Sequence, residues 1–171
     1  MLSSFVIHQI HDLSNTYISS MISEGLREVE DEDIKANYHP EHSDNSGNLF
    51  YRLNNQTYQK GCYVVVECDG QYVASAGWSE YDVDTALISR MYVMKQYRNN
   101  FIVGENILPI IIDQTKKYKY LWASFNKYNK GIVGWMTRNA YGWPDVYKRF
   151  AYLGLTKINN VDQYVFEYER V

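Results

Sequence analysis

Between Met94 and Leu108 the chain reads Met-Lys-Gln-Tyr-Arg-Asn-Asn-Phe-Ile-Val-Gly-Glu-Asn-Ile-Leu, a polar stretch with one arginine that gives way to apolar residues. Such a segment suits anion binding. Where a loop enters a helix, successive backbone N–H groups converge and the helix dipole adds partial positive charge. The Arg98 guanidinium adds a forked, charged donor of the kind a phosphate accepts. Further along, Phe-Asn-Lys-Tyr-Asn-Lys holds Asn126 and Asn129, either of which also suits a helix N-cap. Metal chemistry is not expected. His8-x-x-His11 and His39-Pro-Glu-His42 supply two imidazoles each, with no cysteine or carboxylate at zinc-finger spacing. No Gly-x-Ser-x-Gly, Walker or CxxC motif is present.

The arginine loop needs a strand before it and a helix after it, and the sequence offers both. Cys62 to Cys68 and Gln71 to Trp78 are β-rich runs joined by Asp69-Gly70, a preferred two-residue hairpin turn. Thr85 to Val93 extends them to an antiparallel meander. Tyr97 to Gly104 then reads as a polar loop and Glu105 to Lys117 as a helix. Tyr120 to Phe125 is a strand, Asn129 to Arg138 a helix, and Phe150 to Ile158 with Val161 to Tyr168 a closing hairpin. In that hairpin Tyr164, Phe166 and Tyr168 alternate on one face. Before the meander, Ser4 to Ile10 reads as a strand. Leu13, Tyr17, Ile18, Met21, Ile22 and Leu26 mark an amphipathic helix capped by Asp12. Residues 39–47 form a polar loop, and Asn48 to Gln59 a weaker helix. The order β-α-α-β-β-β-α-β-α-β-β predicts an α/β (α+β) fold in one domain, 1–171. Its sheet is mixed, mostly antiparallel, of about seven strands flanked by helices. Thr85–Val93 and Tyr120–Phe125 form its parallel pair, joined by a right-handed crossover. Ligands of such a unit bind off the carboxyl end of its first strand.

Composition narrows the function. The 171 residues are 46% apolar and 22% charged, which suits a folded globular chain. The longest apolar run, Ile107 to Ile112, is interrupted by Pro109 and is far short of the ~20 residues of a membrane span. The net charge of −3 argues against a nucleic-acid surface. Met1 to Ile10 lacks the basic segment of a secretory signal. Cys62 and Cys68 fall on one strand, about 20 Å apart and too far for a disulfide, so two buried thiols in a reducing cytoplasm are expected.

Tyr97-Arg98, Gly104 and the apolar pair Ile107-Leu108 resemble the Tyr-Arg-Gly-x-Gly-x-Gly/Ala loop of the GNAT N-acetyltransferase superfamily, which holds the pyrophosphate of acetyl-coenzyme A after the fourth strand. The resemblance covers about Cys62 to Tyr168. It implies a GNAT-like acyltransferase fold and transfer of an acetyl group from acetyl-coenzyme A to an amine, on a small molecule or a peptide. It also implies that Arg98, Asn99, Asn100, Phe101, Ile102, Val103 and Gly104 hold the diphosphate. Met91, Tyr92 and Val93 would offer backbone groups to the pantetheine arm, where the fourth and fifth strands splay. A backbone N–H there would face the developing oxyanion. Asn126 or Asn129 would meet the coenzyme after the fifth strand. A homodimer stays open.

Three features depart from that pattern. The two inner glycines are replaced, Gly104 aligns only with one extra residue, and Pro109 falls where it should distort the helix. The family's usual general acid, a tyrosine seven residues after the asparagine, corresponds to Met136 when counted from Asn129. Tyr141 or Tyr147 in the following segment would then serve. As proton acceptor for the amine, Glu67, Glu80, Asp82 and Asp84 stand level. The departures also fit a second reading, a non-catalytic binding module of the same fold with a degraded coenzyme site.

Overall fold

Gly61 to Cys68 is a run of eight residues rich in valine and cysteine, and every one of them is buried. A strand buried on both faces takes this form. In the computed structural model, which describes residues 5–10, 61–98, 102–126, 132–139, 144–158 and 161–171, it is the second of seven strands. The strands are β1 (Phe5–Ile10), β2 (Gly61–Cys68), β3 (Gln71–Glu80), β4 (Thr85–Val93), β5 (Tyr120–Asn126), β6 (Tyr147–Ile158) and β7 (Val161–Arg170). They form one sheet in the order β1-β2-β3-β4-β5-β7-β6. The expected mixed sheet of seven strands is therefore present. The expected helix over residues 13–26, the loop 39–47 and the weaker helix 48–59 lie outside the described residues.

The chain divides into two compact units. The first contains residues up to Ser79 together with Arg90–Asp113. Here β2 pairs antiparallel with β1 and with β3. The β2–β3 turn is Asp69-Gly70 as expected, with φ of 51° and 78°. This is the left-handed geometry that Asp and Gly tolerate best. Gly61 opens β2 because a Cβ there would come within 2.2 Å of the Trp78 carbonyl oxygen. A bulge interrupts the pairing: Val66 faces Ala74 but Glu67 faces Tyr72, which leaves Val73 as the extra residue of β3.

The second unit contains Glu80–Ser89 and Gln114–Val171. The start of β4 pairs parallel with β5, Thr85↔Tyr120 through Ile88↔Ala123. β5 pairs antiparallel with β7, and β7 with β6. One face carries an aromatic ladder of Phe150, Phe166 and Tyr168, covered by Val133 and Met136 of helix α2 (Ile132–Asn139). Tyr164, Phe166 and Tyr168 share this cluster, as their alternation predicts. The opposite cluster joins Leu87, Ile158 and Val165 to Trp122.

Several boundaries differ from expectation. The hairpin strands begin at Tyr147 and end at Arg170, longer than the apolar alternation suggests, because Lys148 and Arg149 are ion-paired to Glu169 across the ladder. α2 runs to Asn139, one residue past the expected end. The helix expected over Glu105–Lys117 is already formed at Ile102 and ends at Gln114, as a π turn (Val103–Ile107) that continues into helix α1 (Leu108–Gln114). Ile102 is buried, as are Ile107 and Ile111, so the apolar stripe begins before the glycine. The π turn carries the distortion expected of Pro109. Proline cannot donate to the previous turn, and the Leu108 N–H reaches back to the Val103 carbonyl instead.

Candidate functional site

β4 ends at Val93, and the next residues fold at once into a tight turn. The Met94 N–H donates to the Val73 carbonyl at 2.8 Å, which fastens the end of β4 to the bulge of β3. A single 3-10 turn, Lys95–Tyr97, follows. The Tyr97 N–H donates to the Met94 carbonyl, and the Arg98 N–H to the Lys95 carbonyl. Arg98 itself is exposed, and its Nε donates to the Val93 carbonyl at 2.9 Å. The guanidinium is thus turned back over the end of β4, with its side-chain stem spanning the turn. On the other flank, Tyr97 interacts with the end of β2. Its hydroxyl is held above its ordinary range chiefly by hydrogen bonding with the Cys68 thiol, with burial and the Asp69 carboxylate acting in the same sense.

Of the residues expected around a diphosphate, Ile102, Val103 and Gly104 lie in the helix that follows. Ile102 is buried and points inward, whereas Gly104 is exposed. Gly104 therefore lies inside the helix rather than at the end of a loop. A Cβ built on it would meet nothing within 4 Å, so its surface is open to an approaching group. The first-turn amides of a helix have no intrahelical partner and carry partial positive charge. A charged forked donor before such amides, with an open glycine among them, fits a diphosphate. Glu105, exposed in the same turn, places a carboxylate nearby that the motif does not contain. Asn99, Asn100 and Phe101 lie outside the described residues.

Met91 and Val93 are half-buried on β4, with Tyr92 between them. The Val93 carbonyl is engaged by Arg98. In the second unit, the β4–β5 register holds four pairs and stops at Ile88↔Ala123, although β5 continues to Asn126. At that point the Ser124 hydroxyl donates to the Ile88 carbonyl at 3.3 Å. A side chain, buried at 7% exposure, thus satisfies a main-chain acceptor where the parallel ladder runs out. Ser124 carries no sequence signal for this role. Asn126 ends β5 and pairs with Gln163. Asn129 and Tyr141 lie outside the described residues.

Tyr147 stands elsewhere. It opens β6 opposite Arg170, whose neighbour Glu169 pairs with Tyr120 at the start of β5. Six residue steps of β5 separate that level from Asn126, about 20 Å. The structure does not bring Tyr147 and Asn126 together. The Tyr147 ring packs against Tyr168 and under the Arg170 guanidinium. Its buried hydroxyl has no hydrogen-bond partner among the described residues. Burial pushes it above its ordinary range, against smaller opposite pulls from Arg170 and Thr115. Met136, at the position of the family's usual acid, is buried core packed with Ala123 and Phe166.

The four carboxylates are no longer equivalent. Glu80 accepts from the Tyr118 hydroxyl at 2.6 Å, and burial, aided by that bond, pushes Tyr118 up to about 12. Asp82 accepts from the Asp84 N–H, and both are exposed. Glu67 is buried and meets His8 Nε2 at 2.6 Å. His8, considered above only as a metal ligand, is thus the partner of a carboxylate. Sequence spacing could not show this, because it depends on β1 pairing with β2. Both cysteines are buried, and neither forms a disulfide. Among the described residues no three His, Cys, Asp or Glu side chains group as metal ligands, and no helix is long and apolar enough to cross a membrane.

No protein-family model matches the sequence, and no curated protein matches it. Solved structures do match. An acetyltransferase of the GNAT family from Staphylococcus aureus Mu50 is 14% identical, with a TM-score of 0.64 over 96% of this chain and 99% of that one. An acetyltransferase from Streptococcus agalactiae 2603 is 11% identical, with a TM-score of 0.66 over 96% and 98%. A coenzyme A-dependent acyl-homoserine lactone synthase, BjaI, in a structure with SAM and isopentyl-CoA, is 10% identical, with a TM-score of 0.63 over 98% of this chain and 84% of that one. The chain therefore has the fold of the GNAT acetyltransferases.

Proposed function

We propose that this chain is an acetyl-coenzyme A-dependent N-acetyltransferase of the GNAT superfamily, acting in a reducing cytoplasm on an amine of a small molecule or peptide. The observation that carries the reading is the run from β4 through the Arg98 turn into the helix. There a charged forked donor, tied to the end of a strand, precedes helix amides with an open glycine among them. Arg98 and the amides of Asn99 to Gly104 would hold the diphosphate, Met91 and Tyr92 would align the arm, and Asn126 or Asn129 would meet the coenzyme after β5. When bound, the coenzyme supplies an activated acyl thioester. Tyr141 is the tyrosine we retain as proton donor to the departing thiolate.

Calorimetric titration with acetyl-coenzyme A tests the reading. Wild-type protein should bind, and Arg98→Ala should weaken binding by ~1.5–3 kcal/mol, the scale of a lost hydrogen bond to a charged group. No heat and no melting shift at millimolar ligand would sink it. A second reading, a coenzyme-binding module without turnover, is favoured by the buried Met136 at the acid position and by Glu105 in the helix's first turn. Binding without turnover across a broad amine panel would select it.

A further inference from the structure

The turn that carries Arg98 is tied to the β2–β3 hairpin at two places, and every residue involved belongs to the first unit. The first tie is main chain. The Met94 N–H donates at 2.8 Å to the carbonyl of Val73, the extra residue of the bulge. The second is made by side chains. Tyr97 is half-buried at the end of the 3-10 turn, and its hydroxyl hydrogen-bonds with the Cys68 thiol. Cys68 is the last residue of β2, pairs with Gln71 and is 1% exposed. Its thiol donates in turn to Asp69 Oδ2 at 3.7 Å. Asp69 is held in place by the hairpin turn, where its φ is 51°.

These bonds have a direction. A thiol offers one proton and a weakly accepting sulfur. With the proton committed to Asp69, the sulfur is left as acceptor, and the Tyr97 O–H donates to it. Arg98 is the next residue, and both its bonds are to the same turn or strand end. Its N–H donates to the Lys95 carbonyl and its Nε to the Val93 carbonyl. The place of the guanidinium therefore depends on the turn staying closed. A three-residue turn has few contacts of its own, and segments of that kind open locally at low cost.

We propose that Tyr97 is a positioning residue for the coenzyme's diphosphate: its hydroxyl, latched on Cys68, holds the turn closed and so sets where the Arg98 guanidinium stands. The proposal rests on the coenzyme reading above. An open turn presents Arg98 out of place, so apparent affinity falls with the fraction of molecules whose turn is closed. Opening also uncovers Cys68 from the loop side. Cys62, on the same strand opposite Trp78, lies about 20 Å away and is uncovered only when the sheet itself opens.

The test reads binding and thiol exposure and needs no acceptor amine. Calorimetry with acetyl-coenzyme A compares wild type with Tyr97→Phe, Cys68→Ala and Cys68→Ser. Tyr97→Phe, which keeps the ring, should weaken binding ~3–10-fold, the scale of one lost hydrogen bond. Cys68→Ala should match it. Cys68→Ser, whose hydroxyl can accept from Tyr97 and donate to Asp69, should return to within about twofold of wild type. In an Arg98→Ala background Tyr97→Phe should cost about twofold or less, because the latch acts through that guanidinium. A merely structural tyrosine would lose the same factor in both backgrounds. Iodoacetamide labelling of the ligand-free protein, assigned to each cysteine by fragment mass spectra, gives the second readout. Tyr97→Phe should raise the rate at Cys68 relative to Cys62 ~3–10-fold. Unchanged affinity in Tyr97→Phe, equal losses in the two backgrounds, or an unchanged labelling ratio would overturn the proposal and leave the coenzyme reading standing. A wild type that binds no acetyl-coenzyme A removes the coenzyme reading itself, and this proposal with it.

Discussion

The β2–β3 hairpin and the β6–β7 hairpin follow the same local grammar and use burial differently. β2 is buried on both faces, and the polar groups on it have partners: Glu67 has His8, and Tyr63 has Ser75. β6 is buried at its two ends, Tyr147 and Ile158, and Tyr152, Leu153 and Leu155 remain exposed. Its one fully buried polar side-chain atom, the Tyr147 hydroxyl, has no hydrogen-bond partner among the described residues. The difference separates two meanings of a buried tyrosine. In the first hairpin the Tyr63 and Tyr72 hydroxyls are organised around Ser75 Oγ, which costs little once paired. In the second the ring is what counts, and the hydroxyl is carried along with it.

The largest effect should come from the ring side of this comparison. Phe166 is fully buried, stacks on Phe150 and Tyr152, and touches Phe125 edge-on. Phe166→Ala should cost ~3–5 kcal/mol in urea unfolding, through lost burial and the cavity left behind. A loss under ~1 kcal/mol would mean the ladder collapses freely and is not a specific core.

Ser75→Ala probes the other side. It removes the one oxygen that Tyr63 and Tyr72 share, at a site with no exposure. Two hydroxyls then compete for substitutes in the interior, and unfolding should become easier by ~1–3 kcal/mol, the cost of leaving a buried polar group unsatisfied. An unchanged midpoint would show that the Ser75 oxygen is not needed to bury the two tyrosine hydroxyls.

How far the sequence foretold these regions depends on whether the deciding contact was local. Asp69-Gly70 announced its hairpin because the turn needs left-handed residues and the two residues supply them. The alternation of Tyr164, Phe166 and Tyr168 announced the ladder for a similar reason, since period two is a property of one strand. The Val73 bulge gave no sign, because neither glycine nor proline marks it. Without it Tyr72 falls on the face opposite Ser75, and the hydroxyl cluster cannot be assembled on paper. The His8–Glu67 pair was hidden because its members are 59 residues apart and meet only through strand pairing. At the coenzyme loop Arg98 was legible as the lone guanidinium after β4. The helix start was not, because Gly104 looked like a boundary while Ile102 was already committed to the core.

Tyr147 gives the smallest effect and the sharpest contrast. As a candidate proton donor it had only its place in the chain to recommend it, shortly after the second helix. Its ring is held by Tyr168 and Arg170 at the level of the start of β5, and its hydroxyl forms no hydrogen bond among the described residues. Removing an unsatisfied buried hydroxyl while keeping the ring relieves a desolvation penalty, so Tyr147→Phe should stabilise the protein by up to ~1 kcal/mol. Tyr63→Phe, which strips a paired hydroxyl, should destabilise it. Opposite signs in thermal unfolding would confirm that partnership rather than burial separates the two tyrosines. Equal signs would erase the distinction, and a loss of turnover in Tyr147→Phe would return that residue to the chemistry despite its distance from Asn126.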